Sequence, residues 1–272
     1  MTIDPRDVLT RPAPPPDFTL RYGEHADHVA DVRLPGVPDA PLVLFVHGGF
    51  WRHEWDRAHA GPLSADLAAR GYAVATVEFR RTGQAGGGWP GTFSDVAAAA
   101  VAVPDLLEKE VAHRGLLPVS VDRPILSGHS AGGHLALWYA AVAPDAVGGV
   151  VALAPVADLA KAYELNLDEG AVGDLLGGAP DAVPDAYSAA DPMAKLPSGV
   201  RTVILHGTED DIVPIALSRN YCRLARRAGD DTTLVELAGV DHFAVIDPLS
   251  GAWPAVLAAF GTVTRGEGAD GD

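Results

Sequence analysis

Short continuous apolar runs recur along the chain, and glycine, proline or charged residues separate them. Runs of this kind are typical of strands buried on both faces of a parallel sheet. Residues 29–34 instead alternate apolar and polar positions, which is typical of a strand with one face toward solvent. The other predicted strands are 42–46, 72–77, 123–127, 147–153, 200–205 and 232–237.

Stretches with helical spacing lie between most of these strands. Strands that alternate with helices predict an α/β fold, with a mostly parallel central sheet and helices on both faces. We find no internal repeat, so residues 1–272 are predicted to form a single domain. The predicted helices are 58–70, 92–114, 135–141, 214–227 and 248–264.

Three segments do not fit the strand-and-helix alternation. Residues 1–28 form an N-terminal arm with a proline-rich run, predicted to be extended, and the arm is either part of a lid or loosely held. Residues 156–198 are long and irregular, which predicts a small cap or lid insertion. Residues 266–272 are acidic and glycine-rich, and we predict a disordered tail there.

Composition narrows the classes of protein that fit this chain. Hydrophobic residues make up 48% of the 272 residues, enough for a sizeable core, and the formal net charge is −16. Such a charge repels nucleic acid and anionic membranes, so neither is expected as a partner. A single cysteine, Cys222, and a start without an apolar segment predict a cytoplasmic protein. The oligomeric state stays open, with a homodimer as one candidate.

Gly128-His129-Ser130-Ala131-Gly132-Gly133 is the stretch with the strongest chemical signal. It has the form G-x-S-x-G between a predicted strand and a predicted helix, as a nucleophile elbow does. Glycines remove collisions at the sharp turn, and the helix N-terminus offers N–H groups to a developing oxyanion. The simpler alternative is a glycine-rich turn in which Ser130 only caps the helix.

A serine nucleophile needs a base, and the base needs an orienting acid. Three acids, Glu209, Asp210 and Asp211, follow the predicted strand 200–205. His242 follows the next predicted strand and is the one histidine after these acids, so it is the candidate base if the order is Ser, acid, His. We expect His47 to hold the loop it begins, and His206 to brace the acid loop. The expected exposed histidines are His25, His28, His53, His59 and His113.

A loop with two glycines, His47-Gly48-Gly49-Phe50-Trp51, follows the strand 42–46. We predict that the backbone N–H groups of Gly49, Phe50 and Ala131 form an oxyanion hole, with a plain glycine turn as the alternative for the loop. Trp51, Trp89 and Phe243 are the predicted walls of a substrate pocket, with ordinary core packing as the alternative for each.

Taken together, these motifs make the chain similar to the α/β-hydrolase superfamily over nearly its whole length. The segment 47–51 resembles the H-G-G-x-W motif of kynurenine formamidases (arylformamidases), which is related to the H-G-G-G motif of hormone-sensitive-lipase-like esterases. The elbow at Ser130, the acid Asp210 within H-G-x-x-D-x-x-V-P, and His242 match both groups. Among the acids, this match favours Asp210 over Asp211 and Glu209.

The resemblance implies a serine hydrolase that cleaves a small-molecule ester or an aryl formamide through an acyl-enzyme, without a metal or an organic cofactor. One alternative is a serine peptidase of the prolyl-oligopeptidase type, which shares the order of the triad. The other is a non-catalytic binding protein on the same fold.

Overall fold

The computed structural model describes residues 4–264 and forms one eight-stranded sheet with helices on both faces. The strands, β1 to β8 in chain order, are Phe18–Arg21, Val29–Arg33, Ala40–Val46, Ala73–Val77, Val119–His129, Gly149–Leu153, Thr202–Gly207 and Thr232–Leu237. The α-helices, α1 to α8, are Gly61–Ala69, Gly91–His113, Ala131–Val142, Leu159–Glu164, Ala171–Leu176, Pro184–Ala190, Ala216–Ala228 and Trp253–Thr264.

The order of strands in the sheet is β1-β2-β4-β3-β5-β6-β7-β8. The pairs from β4 to β8 are parallel, whereas β1–β2 and β2–β4 are antiparallel. The carboxyl ends of β3, β5, β7 and β8 therefore lie along the same edge of the sheet. The predicted fold class is confirmed, and this is the arrangement of the α/β-hydrolase fold.

Alternate residues of β3 show why its sequence is apolar throughout. Leu42 and Leu44 pack in one core cluster with helices α2, α3 and α7, while Val43 and Phe45 pack in a second cluster with α1 and α8. Each face of the sheet thus has its own hydrophobic core. Both faces exclude water, so neither set of positions is polar.

The N-terminal arm contains two short elements that were not predicted for it. Residues Pro5–Leu9 form a 3₁₀ turn, and Phe18–Arg21 is the edge strand β1. The side chains of Phe18 and Leu20 are buried in the core, which ties the arm to the sheet. A four-residue strand that pairs at the sheet edge is too short to leave a clear periodic signal in the sequence.

The predicted cap, 156–198, contains the short helices α4, α5 and α6, and two 3₁₀ turns, Leu167–Gly170 and Pro192–Lys195. Several of its apolar side chains join the larger core cluster, including Leu159, Leu175 and Tyr187. The segment therefore packs against the larger core cluster and does not project from the molecule. The disordered tail predicted for 266–272 lies outside the described residues.

Candidate active site

Ser130 lies at the turn between β5 and α3, as the elbow pattern predicts. Its backbone has φ 56° and ψ −119°, a conformation that costs free energy for a residue with a side chain. A Cβ atom on Gly128 would lie 2.3 Å from the Gly132 carbonyl oxygen, and one on Gly132 would lie 2.0 Å from the carbonyl oxygen of Val46. The glycines are therefore required by the close approach of three backbone segments.

The structure brings His242 and Asp210 together. The Nδ1 atom of His242 lies 2.6 Å from Oδ2 of Asp210, and both side chains are almost completely buried. A hydrogen bond from Nδ1–H to the carboxylate leaves Nε2 as the basic nitrogen of the imidazole. His242 and Ser130 line the same cavity.

The Asp210 carboxylate is held by more than the histidine. Its Oδ1 accepts hydrogen bonds from the backbone N–H groups of Ile212 (2.9 Å) and Val213 (2.7 Å). His206 Nε2 lies 3.1 Å from Oδ2. Burial raises the pKa of Asp210, but the hydrogen bonds from His206 and His242 outweigh burial and lower it well below the usual range. Asp210 is thus ionised and fixed in orientation.

The other two candidate acids, Glu209 and Asp211, have exposed side chains. Neither forms an ion pair with His242 among the described residues. The geometry therefore favours Asp210 as the partner of the histidine. His206, as expected, braces this loop, because its Nδ1 contacts Ser218 Oγ at 2.8 Å and its Nε2 contacts the Val213 carbonyl oxygen at 2.8 Å.

The loop after β3 lies directly against Ser130. A Cβ atom on Gly48 would lie 3.2 Å from the Cβ of Ser130. Gly49, Phe50 and Trp51 all have positive φ, of 108°, 48° and 58°. Three consecutive residues in this region are rare, and two of them are bulky. The loop is closed by a hydrogen bond from the Arg52 backbone N–H to the Gly49 carbonyl oxygen at 2.9 Å.

His47 fixes the start of this loop. Its Nδ1 lies 2.8 Å from the Gly48 carbonyl oxygen, and its Nε2 lies 2.9 Å from Oε1 of Glu78. Glu78 is buried and also lies 3.0 Å from Nη1 of Arg81. Burial raises the pKa of Glu78, but His47 and Arg81 outweigh it and lower the value to about 2.

Phe50, Gly49, Ser130 and His242 share a cavity of about 330 Å³. Its lining is mostly apolar, and the volume is at the lower end of the range for small-molecule sites. Phe243 lines the cavity, as predicted. The remaining lining residues are Arg6, Leu9, Trp55, His59, His129, Asp168 and Ile212.

Trp51 and Trp89 are not among the lining residues, so the prediction that they form pocket walls is wrong. Trp51 is 1% exposed and packs edge-on against His134 at 5.2 Å. Trp89 packs against Phe93 at 4.9 Å, and its backbone N–H donates to the Leu175 carbonyl oxygen. Trp51 is thus a core residue, and Trp89 is half-buried and packs against the larger core cluster.

Sequence reasoning missed several of the lining residues. His59 was expected to be exposed, but it is buried beside the cavity, and burial lowers its pKa to about 4. Trp55 follows the predicted oxyanion loop by four residues and packs against Gly49. Arg6 and Leu9 come from the N-terminal turn, and no local pattern connects that turn to the elbow.

Among residues 4–264, no helix is both long enough and apolar enough to cross a bilayer. Within the same residues, no group of three or more His, Cys, Asp or Glu side chains is arranged to hold a metal ion.

Comparisons with known proteins agree with the fold. The molecule is an esterase-like α/β-hydrolase. The sequence model of the BD-FAE family matches residues 31–223, and the chain belongs to that family. The matched region contains Ser130 and Asp210 and ends before His242.

Curated relatives are similar at low identity. Esterase LipC of Mycobacterium tuberculosis is 24% identical over an aligned length of 243, and the alignment covers 81% of this chain and 58% of that protein. The probable isoprenylcysteine alpha-carbonyl methylesterase ICME of Oryza sativa is 25% identical over an aligned length of 277, and the alignment covers 92% of this chain and 64% of that protein. The chain thus spans less than two thirds of the length of these two relatives. Kynurenine formamidase of Salmo salar is 24% identical, covering 85% of this chain and 76% of that protein.

Solved structures share the fold. A truncated carbohydrate esterase from gut microbiota superposes with a TM-score of 0.76 at 20% identity, covering 92% of this chain and all of that one. Esterase B from Lactobacillus rhamnosis superposes with a TM-score of 0.73 at 20% identity, covering 97% and 91% of the two chains. At this identity the likeness establishes the fold alone.

Proposed function

We propose that this chain is a serine hydrolase that cleaves small-molecule esters through an acyl-enzyme. The observation that carries the proposal is the 2.6 Å contact between Asp210 and His242, beside a strained Ser130 at the wall of one apolar cavity. The esterases among the relatives support an ester as the substrate. The alternative of a binding protein gives no reason for an acid, an imidazole and a strained serine to share one site.

In this mechanism His242 Nε2 takes the proton of the Ser130 hydroxyl as Oγ attacks the ester carbonyl carbon. Asp210 keeps the Nδ1–H tautomer in place and stabilises the imidazolium that forms. His242 then gives the proton to the leaving alkoxide, which departs as the alcohol. Water, deprotonated by the same nitrogen, attacks the acyl carbon. The bond from that carbon to Ser130 Oγ then breaks, the carboxylic acid leaves, and His242 returns the proton to Oγ.

The carbonyl oxygen becomes negative in each tetrahedral intermediate. We propose that it is stabilised by the backbone N–H groups of Gly49, Phe50 and Ala131. Ala131 is the first residue of α3, so its N–H has no acceptor within the helix. The positive φ values at Gly49 and Phe50 set the direction of the loop amides. One donor of this kind is worth about 2.7–4 kcal/mol in the transition state.

Aryl formamides are the second candidate substrates. The 47–51 motif and the kynurenine formamidases of Salmo salar and Danio rerio, the latter 32% identical over 117 residues, favour them. Phe50, Trp55 and Phe243 supply aromatic surface for an aryl group. The same chemistry serves both substrates, with an arylamine in place of the alcohol as the leaving group.

The test compares wild type with Ser130→Ala on p-nitrophenyl acetate and N-formyl-kynurenine. We expect kcat to fall by ~10⁴-fold or more in the variant, because the nucleophile is lost. A fluorophosphonate probe should label wild type and not Ser130→Ala. Ser120→Ala, which removes an exposed hydroxyl from the same strand, is the matched control and should keep wild-type activity and labelling.

Labelling of Ser130 without turnover of either substrate would leave a serine nucleophile whose acyl group is of another kind, such as a peptide. Absence of both labelling and turnover would favour the non-catalytic binding protein. Turnover of the formamide at about 10⁴ M⁻¹s⁻¹ or more in kcat/KM would establish the formamidase activity.

A further inference from the structure

The N-terminal turn Pro5–Leu9 forms one wall of the catalytic cavity. Val8 is completely buried in the core cluster that contains Ala60 and Leu63, so the turn is docked by an apolar anchor. A second anchor follows, because the Arg11 guanidinium makes two hydrogen bonds to the carboxylate of Asp247, one of them Nη2–Oδ2 at 2.9 Å. The turn is therefore a fixed part of the site.

This turn presents Arg6 to the cavity. The guanidinium carbon of Arg6 lies 5.8 Å from the centre of the Phe243 ring, next to His242 in the sequence. Arg6 lines the cavity together with Ser130 and His242. The neighbouring acids Asp4 and Asp7 form no ion pair with it in residues 4–264, although Asp4 accepts the Arg6 backbone N–H.

The other ionisable groups of the lining are compensated or neutral. Asp168 has its carboxylate 2.6 Å from Nε of Arg52. Burial lowers the pKa values of His59, to about 4, and of His129, so both rings are neutral at pH 7. The charge that develops on His242 during turnover is balanced by Asp210. Arg6 is thus the charged lining residue that forms no ion pair among the described residues.

We propose, on the basis of the proposed ester hydrolysis, that Arg6 selects substrates with a carboxylate next to a small aromatic or alkyl body. The planar guanidinium matches a carboxylate with two parallel N–H donors. Leu9, Ile212 and Phe243 supply apolar surface for the body of such a molecule. The formal net charge of −16 disfavours the binding of anionic substrates. A cation at the cavity wall opposes this effect locally and so favours a substrate with a carboxylate.

The test measures kcat/KM for two acetate esters that differ in one charge, 4-acetoxybenzoate and 4-acetoxybenzamide. The quantity compared is the ratio of benzoate to benzamide in each variant, since the intrinsic reactivity of the esters cancels between variants. We expect this ratio to fall about three- to fivefold in Arg6→Gln, as for a partly exposed ion pair, and further in Arg6→Glu. Arg6→Lys should keep an intermediate ratio.

Arg227→Gln is the matched control. It removes the same charge from the last turn of α7, which is far from the cavity, and should keep the wild-type ratio. Raising the salt concentration to 0.5 M should reduce the preference of wild type and leave that of Arg6→Gln unaffected. Equal ratios in wild type, Arg6→Gln and Arg6→Glu would overturn the proposal.

A binding measurement separates this proposal from the ester hydrolysis. Calorimetry with benzoate and benzamide on the Ser130→Ala protein needs no turnover. Tighter binding of benzoate that is lost in Ser130→Ala/Arg6→Glu supports the role of Arg6 even if neither ester is cleaved. Equal affinity for the two ligands, together with normal cleavage of both esters, refutes the role of Arg6 and leaves the hydrolase intact.

Discussion

The inner side of the cavity and its rim are held in place by different kinds of contact. The inner side comprises Ser130, Asp210, His242 and the loop 47–51, all of which follow strands of the sheet. Its polar groups are buried and are joined by hydrogen bonds such as those of Asp210 and Glu78. The rim comprises the turn Pro5–Leu9, which buried Val8 and the ion pair of the following Arg11 hold, and the cap segment 166–170, which the exposed Arg52–Asp168 ion pair holds.

This difference separates the groups that carry out the reaction from those that select the substrate. Buried, fully bonded groups hold reacting atoms within a fraction of an ångström, and losing one of them leaves another uncompensated. Partly exposed ion pairs are worth about 0–1 kcal/mol, so they can change without unfolding the protein. Substitutions on the inner side should therefore act on kcat and stability, whereas those on the rim should act mainly on KM.

The largest expected effect is that of Asp210→Asn. The amide oxygen can still accept from the N–H groups of Ile212 and Val213, but the amide nitrogen then faces Nδ1 of His242 as a donor. The imidazole is forced into the wrong tautomer, and we expect kcat to fall about 10⁴-fold. Steady-state kinetics on p-nitrophenyl acetate measure this, with a thermal unfolding midpoint to show that the variant is folded.

Asp211→Asn is the control for this prediction. It makes the same change one residue along the loop, on an exposed side chain, and should retain activity within about twofold of wild type. If the two variants lost activity equally, the orientation of His242 would not depend on Asp210, and the comparison of the two sides would lose its strongest case.

The next largest effect concerns Glu78, which holds His47 at the start of the loop 47–51. Its carboxylate contacts His47 at 2.9 Å and Arg81 at 3.0 Å, and is 1% exposed. Glu78→Gln leaves these basic groups without a buried counter-charge, so we expect the free energy of unfolding at pH 7 to fall by about 3 kcal/mol. Urea unfolding followed by tryptophan fluorescence measures the change.

The same variant has a predictable pH dependence. The pKa of Glu78 is about 2 in the folded protein and 4.5 in its ordinary state. Because the folded value is depressed, the stability that Glu78 contributes is complete above pH 4.5 and is lost as the pH falls from 4.5 toward 2. The difference between wild type and Glu78→Gln should shrink over this window. A difference in the free energy of unfolding that stays constant from pH 7 to pH 3 would show that Glu78 acts through packing. Glu164→Gln is the control: it breaks an exposed ion pair and should leave the free energy of unfolding unchanged at either pH.

The inner side of the cavity was predictable from the sequence because the ends of buried strands can be located in the sequence. Continuous apolar runs locate buried strands, and parallel strands bring their carboxyl ends to one edge, so Ser130, Asp210 and His242 could be assigned to a common site. The choice among Glu209, Asp210 and Asp211 still needed a family pattern. In the structure the choice is clear, because the side chain of Asp210 points inward to His242 and the other two acids are exposed.

The rim was not predictable in the same way. Arg6 reaches the cavity through two contacts that no local pattern reveals: the docking of Val8 near Ala60 and Leu63, and the ion pair of Arg11 with Asp247, which is 236 residues away. Trp51 and Trp89 show the converse error. An aromatic residue in a loop near the site looked like a pocket wall. In the structure Trp51, with a positive φ, is buried in the core, and Trp89, whose backbone N–H is hydrogen-bonded to Leu175, is half-buried against it.

The smallest expected effect lies in the cap segment of the rim. Asn166, Asp168 and Glu169 all have positive φ, near 50°, although none is glycine. Each such residue costs roughly 1 kcal/mol or more. Arg52, directly after the loop 47–51, opposes this cost by donating hydrogen bonds to the Asp168 carboxylate at 2.6 Å, to the Asp168 carbonyl oxygen at 2.8 Å and to Asp174 at 3.0 Å.

Arg52→Gln removes these contacts and should let the segment 166–170 relax, because the strain then has nothing opposing it. We expect hydrogen exchange of its amides to accelerate by up to about fivefold and KM to rise about twofold, with kcat close to wild type, since Asp168 lines the cavity but not its inner side. Lys161→Gln breaks an exposed pair on the same cap and should change neither quantity. If Arg52→Gln lowered kcat as much as Asp210→Asn does, the cap and the oxyanion loop would form one unit, and rim and inner side would no longer be separable. If exchange were unchanged, the left-handed residues would be held by the packing of the cap itself, and Arg52 would be a surface pair with no part in selection.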